Sequence, residues 1–124
     1  VLCSGGLGPT GDDLTAEAVA RAAAVPLHFD AEAMAQIERL YRRFGKTMAA
    51  SNRKQAMLPK GCLRLDNRWG TAPGFALPIG RAWLAFMPGV PREMKKMFAA
   101  RVVPELRRRF ALSPSHLITL RTVG

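Results

Sequence analysis

The residues best suited to chemistry lie together near the start of the chain, in Gly5-Gly6-Leu7-Gly8-Pro9-Thr10-Gly11-Asp12-Asp13-Leu14-Thr15. Three glycines within four residues let a backbone take positive φ and come close to a ligand. Val1-Leu2-Cys3 before them is strand-like, and Thr15 to Ala22 after them is strong helix-forming sequence, so the stretch reads as strand, loop, helix. The start of a helix offers unpaired N–H groups, and a phosphate or pyrophosphate suits such a turn. Carboxylates alone would repel that phosphate. Asp12 and Asp13 therefore have two readings: first-turn acids, with Thr10-x-x-Asp13 as a capping-box variant, or ligands of a divalent cation that bridges to phosphate oxygens. Gly6, Gly8 and Gly11 also satisfy G-x-G-x-x-G, but Pro9 and the acidic pair stand where a dinucleotide-binding turn would bring the pyrophosphate onto the helix.

Further polar groups fall on short, punctuated stretches. Ser51 to Pro59 reads as one or two helical turns carrying Asn52, Arg53 and Gln55, each able to bond a sugar, a phosphate or a base edge, or simply to face solvent. Asn67 to Phe75 is a run of turns whose small residues, Gly70, Thr71 and Gly74 among them, permit close approach; Trp69 within it is a stacking surface or a packed indole. Pro88-Gly89-Val90-Pro91 follows the apolar run Trp83 to Met87 and opens a helix with Pro91 and Glu93 in its first turn, repeating the strand, turn, helix scheme. If both strands lie in one parallel sheet, both turns lie beyond its carboxyl edge, where α/β proteins place ligands.

The remaining elements serve to position these loops. Asp30 is placed to cap a helix from about Ala31 to Phe44 with Met34, Ile37, Leu40, Tyr41 and Phe44 on its inner face, ended by Gly45. Cys62 to Asp66 alternates as a strand with Leu63 and Leu65 on one side. Met94, Met97 and Phe98 form the inner face of the later helix, which Pro104 ends or kinks. Leu117 to Val123 is another strand-like run.

With 124 residues, 48% of them hydrophobic, the chain is sized for one small packed domain. No apolar run approaches a membrane span, so a soluble protein is expected. A start without methionine, already inside a strand pattern, suggests part of a longer protein. Cys3 and Cys62 lack metal-ligand spacing and read as buried reduced thiols, which suits the cytoplasm; His28 and His116 stand alone, which disfavours zinc. The net charge of +10 is spread over helix faces without aromatic interleaving, so a solvated surface is expected rather than a nucleic-acid partner.

Three stretches taken together, GGLGPTGDDLTAEAVA, SNRKQAMLP followed by DNRWGTAPGF, and MPGVPREMKKMF, resemble the N-terminal domain of the CinA (competence/damage-inducible) proteins, in the MoaB/Mog-like molybdopterin-binding superfamily. The resemblance runs over nearly the whole chain, in family order. It implies an α/β three-layer αβα sandwich with a mainly parallel sheet, lacking its first strands and helices, and one domain over 1–124, itself part of the family domain. It also implies a homodimer, and divalent-metal-dependent hydrolysis of a nucleotide sugar, ADP-ribose, to AMP and ribose 5-phosphate. The deamidase activity associated with CinA belongs to a separate C-terminal domain and is not assigned to this chain. On this reading Gly5, Gly6, Gly8, Pro9 and Thr10 belong to the phosphate turn, with Asn52, Gln55, Asn67, Gly70, Thr71, Gly74, Pro88, Gly89 and Glu93 around the same substrate cleft. Asp13, with Asp12, would hold the cation; Arg53 would neutralise charge on the leaving phosphate; and, with no histidine placed as base, water activated at the cation would be the nucleophile. Two other readings stand beside this one: a pterin-phosphate-binding module without catalysis, and an inactive dimerising fragment.

Overall fold

The computed structural model describes residues 1–113; the strand expected at Leu117 to Val123 and His116 lie outside the described residues. The elements run β1 (Leu2–Ser4), α1 (Thr15–Ala22), β2 (Leu27–Phe29), α2 (Ala31–Arg43), a 3-10 helix (Ala50–Ala56), β3 (Met57–Pro59), β4 (Leu63–Leu65), β5 (Gly74–Ile79), β6 (Ala82–Met87), α3 (Pro91–Met97), a π-helical turn (Phe98–Val102) and α4 (Val103–Arg109).

The sheet departs from the expected mainly parallel arrangement. Among the described residues its order is β1-β6-β5-β4, and only β1 and β6 pair in parallel; β5–β6 and β4–β5 are antiparallel, and β2–β3 form a separate antiparallel ribbon. The reason lies in the connections. Ile79 pairs with Ala82, leaving only Gly80 and Arg81 between the strands, and a two-residue loop can join only antiparallel neighbours. Gly80 sits at φ +56°, a conformation that favours glycine. The Trp83–Met87 run reads as a buried parallel strand by composition, but apolar runs of that length are equally compatible with a central antiparallel strand covered on both sides.

Both faces of the sheet are indeed covered. Phe75, Leu77 and Phe86 point to one face, where they pack with Val19, Ala33, Ile37, Ala56 and Leu58 of α1, α2, the 3-10 helix and β3. Phe75 and Phe86 stack with centroids 5.0 Å apart. Ala76, Trp83, Ala85 and Met87 point to the other face and meet Leu65, Met97 and Val102. This alternation is the period of two that a strand imposes. Trp69, Met94 and Phe98 pack against that second core. The helix from Pro91 runs through Pro104 without ending; the π turn at Phe98–Val102 immediately precedes α4, where the proline removes an N–H and crowds the carbonyl four residues back.

At α2, Asp30 caps the helix as expected, accepting from the Ala33 N–H at 2.8 Å. Met34, Ile37 and Tyr41 reach the core, whereas Phe44, at the frayed end, is exposed. Arg64 Nη1 bonds both carboxylate oxygens of the capping Asp30 at 2.9 and 3.0 Å, and Arg64 Nε bonds Asp66 Oδ1 at 2.7 Å. Burial alone would raise Asp30, but the Ala33 N–H and the Arg64 guanidinium outweigh it and hold the carboxyl below its usual range; Asp66 is lowered against burial by Arg64 and Gln36. Burial, with the Asp30 charge, pushes the nearby Cys62 thiol up to about 11, so it stays protonated and unreactive at neutral pH. Both cysteines are free thiols.

Candidate ligand cleft between two glycine loops

Because β1 and β6 run in parallel side by side, the loops that follow them emerge together. Gly5 N–H donates to Met87 O at 2.9 Å, extending the pairing by one bond beyond the strands. A Cβ on Gly89 would lie 3.3 Å from Gly5 Cα, so the two loops touch backbone to backbone. Gly5 and Gly6 take φ of +99° and +69°, turning the chain back from the sheet edge. Thr15 then clamps the turn: its hydroxyl donates to Gly5 O at 3.0 Å and its N–H to Gly6 O at 3.1 Å, and a Cβ on Gly6 would strike that hydroxyl.

A cleft of about 360 Å³ opens between these loops and the segment before β5. Of the residues singled out in the sequence, Gly5, Gly6, Gly8, Pro9, Asp13, Gln55, Thr71, Pro88, Gly89 and Glu93 line it. Leu7, Ala72 and Val90 line it too, and sequence reading missed them because an apolar residue in a loop carries no signal of its own. A smaller cavity of about 20 Å³, lined by Gly6, Gly8, Asp13, Lys54 and Gln55 among others, adjoins these residues.

Asp13 neither caps α1 nor faces its first turn. The N-cap position belongs to Leu14, which makes no side-chain cap bond. Instead Asp13 Oδ2 accepts from the Thr10 hydroxyl at 2.6 Å and the Thr10 N–H at 2.9 Å, closing the loop on itself. The Thr10 hydroxyl is the main reason that its carboxyl lies below the usual range, against the opposing effect of burial, with help from the Thr10 and Gly8 backbone and the Lys54 charge. A Cβ on Gly8 would sit 2.5 Å from Asp13 Oδ2, so a glycine is needed there for the carboxylate to lie against the backbone. Lys54 Nζ donates to Thr10 O at 2.9 Å and lies 3.5 Å from Glu17 Oε1, tying the loop to the 3-10 helix. Asp12 is exposed and does not line the cleft.

The other predicted residues divide between support and distance. Asn67 is buried and organises its whole turn: Oδ1 accepts from the N–H groups of Trp69 and Gly70 at 2.9 and 3.0 Å, while Nδ2 donates to Ala72 O and to Glu93 Oε2, both at 2.9 Å. Gly70 is the residue over which the Glu93 carboxylate lies, and any Cβ there would collide with it. Gly74 lets β5 pass Phe86 O, from which a Cβ would be 2.5 Å away. Asn52 is 2% exposed and reaches the cleft only through its neighbours: Nδ2 donates to the Tyr41 hydroxyl at 2.9 Å and to Gln55 Oε1 at 3.0 Å, and Gln55 Nε2 donates to Thr71 Oγ1 at 3.1 Å. Arg53 is exposed and stacks its guanidinium 4.0 Å from the Phe29 ring, away from the cleft lining. Consecutive residues of a 3-10 helix point about a third of a turn apart, which separates Arg53 from Lys54 and Gln55.

Two carboxylates, Asp13 and Glu93, thus face one cleft. Among the described residues no three His, Cys, Asp or Glu side chains gather as a metal cluster. The donor set fits a hard, magnesium-like cation that takes one or two carboxylates and completes its shell from water and a ligand's phosphate oxygens; it does not fit a cation held by protein alone. Among the described residues no helix is long and apolar enough to cross a membrane.

The comparisons agree with this layout. Residues 1–108 match the family described as a probable molybdopterin binding domain. The chain is 52% identical over 124 residues to a CinA-like protein of Citrifermentans bemidjiense, covering all of this chain and 30% of that protein, and 49% identical over 115 residues to one of Shewanella sediminis, covering 93% and 27%. It therefore spans less than a third of the length of these curated relatives. A crystal structure of the protein CinA, of unknown function, from Thermoplasma acidophilum superposes with a TM-score of 0.71 at 36% identity, over 84% of this chain and 60% of that one. With loops, cleft and relatives in agreement, the chain belongs to the molybdopterin-binding, MoaB/Mog-like family as a CinA-like N-terminal domain.

Proposed function

We propose that the chain is a binding module for the phosphate end of a pterin of the molybdopterin type. The observation that carries this reading is the cleft itself: two glycine loops held edge to edge by Gly5 N–H to Met87 O, with Gln55 and Thr71 on the facing wall, in a family described by pterin binding. Backbone N–H groups in such loops bind phosphate oxygens without side-chain charge, and the apolar Leu7, Ala72 and Val90 offer a flat ring a dry seat. The test is calorimetric titration with a pterin phosphate. Saturable binding at one site per chain is expected; no saturation at millimolar ligand would sink the reading.

A second reading, metal-dependent hydrolysis of ADP-ribose to AMP and ribose 5-phosphate, is favoured by one specific observation, the presence of Asp13 and Glu93 on the same cleft. In that case those two carboxylates would hold the divalent cation, which would polarise a phosphoryl oxygen of the pyrophosphate. The glycine loops would hold the remaining phosphate oxygens, and Lys54, at the loop, would offset part of the charge. Release of AMP that requires added cation and disappears in Asp13→Asn would put this reading first. The homodimer is a further proposal, decided by sedimentation equilibrium of the chain at micromolar concentration.

A further inference from the structure

The buried polar chain behind the cleft has a direction, and the direction follows from one backbone group. The Ala49 N–H can only donate, and it donates to Asn52 Oδ1 at 2.9 Å. Asn52 must therefore turn its NH2 the other way, toward the Tyr41 hydroxyl and Gln55 Oε1. Gln55, receiving that bond on oxygen, must present its own NH2 to Thr71 Oγ1. Thr71 accepts there, so its hydroxyl proton remains for a partner elsewhere, and Thr71 lines the cleft. A buried amide set the wrong way round would meet Asn52 NH2 to NH2 and leave buried donors unpaired.

We propose that Asn52 is a positioning residue that polarises this chain, so that Thr71 offers the cleft a hydrogen-bond donor. The wall formed by Gln55 and Thr71 then selects a ligand group rich in lone pairs and without protons of its own, such as a phosphate oxygen, over the N–H edge of a ring. This deepens the phosphate-binding reading and rests on it. The Tyr41 hydroxyl takes the second Asn52 proton at 2.9 Å, but it could donate as readily as accept, so the Ala49 N–H alone fixes which way Asn52 faces.

The decisive variant is Asn52→Asp. Its carboxylate would still accept from the Ala49 N–H, and it could accept from the Tyr41 hydroxyl and from Gln55 once that amide turns over, so the buried charge keeps three donors. Gln55 would then show its oxygen to Thr71, whose proton would turn away from the ligand. Binding of the pterin phosphate should fall by about tenfold or more, as for loss of a hydrogen bond to a charged group. Thr71→Val should cause a loss of the same size, Thr71→Ser should restore binding, and Asn52→Asp with Thr71→Val together should lose no more than either alone. Losses that multiply, or a Thr71→Val chain that binds normally, would overturn the proposal. A ligand-free readout separates this from failure of the phosphate reading: Thr71→Val should move the Gln55 side-chain amide resonances in the NMR spectrum of the free chain, and resonances that stay in place would refute the polarity whether or not the wild-type chain binds the pterin.

Discussion

Two polar clusters in this molecule use the same residue types to opposite ends. Around Arg64, charges close on themselves: Asp30 caps α2 and takes two guanidinium bonds, Asp66 takes a third, and Arg101 approaches Asp66 at 3.8 Å. Around the glycine loops, groups are held from behind and left open in front: Asp13 by Thr10, Glu93 by Asn67, Thr71 by Gln55. A carboxylate satisfied on all sides fixes structure, and one pinned by a single neighbour beside a cleft remains available to a ligand. The difference lies in where the partners stand, which residue type alone does not reveal.

The sharpest way to break this comparison is to open the closed cluster. Arg64→Leu leaves two partly buried carboxylates without their cation and should lower unfolding free energy by about 2–3 kcal/mol, somewhat below the cost for a fully buried pair because both acids retain some exposure. Chemical denaturation measures this, and pterin-phosphate affinity should stay within a factor of two. Gly74→Ala should cost about 1–3 kcal/mol, because its Cβ meets the Phe86 carbonyl, a backbone atom that cannot move aside; a melt unchanged from wild type would refute the packing argument. At the open cluster, Asp13→Asn should cost about 1 kcal/mol, because the amide keeps an oxygen for Thr10 but loses the charge that strengthens those solvent-exposed bonds, and, if a cation joins the ligand there, should change the cation dependence of binding; Asp12→Asn should change neither. Equal effects from the two would place the cation elsewhere.

A pH series sharpens the same contrast. Asp30 and Asp66 titrate below the ordinary carboxylate value of 3.8, so the stability they contribute is complete above that value and is lost as pH falls through their lower folded values. The stability gap between wild type and Arg64→Leu should therefore narrow below about pH 4 and hold constant from pH 5 to 7. A gap that persists at pH 2 would show that Arg64 acts through packing of its stem.

Much of the scaffold was legible because it obeys local rules. Asp30 sits one residue before an amphipathic helix, and Ser51 to Ala56 forms a short turn before Pro59. The glycine loop could be read as a ligand turn because positive φ and backbone proximity demand glycine. Sheet direction could not be read from Trp83 to Met87 alone, since the deciding feature, the two-residue turn at Gly80 and Arg81, is a property of the connection. The Thr10-x-x-Asp13 spacing announced a pairing that the structure does form, but the bond closes the loop instead of capping α1, whose N-cap is Leu14. Arg53 and Lys54 are chemically alike in sequence; only the pitch of the 3-10 helix, and Phe29 from a distant strand, separates their roles.

The parallel pairing of β1 with β6 has a practical consequence for anyone wishing to attach something to this domain. In an antiparallel run, successive loops alternate between the two rims of the sheet, and β6 carries the chain roughly 17 Å from one rim to the other at ~3.3 Å per residue. The turn at Gly80 and Arg81 thus lies a full strand length from the glycine loops, on exposed backbone. A fluorophore, an affinity handle or a lengthened loop introduced there would report on the domain while leaving its recognition face unencumbered.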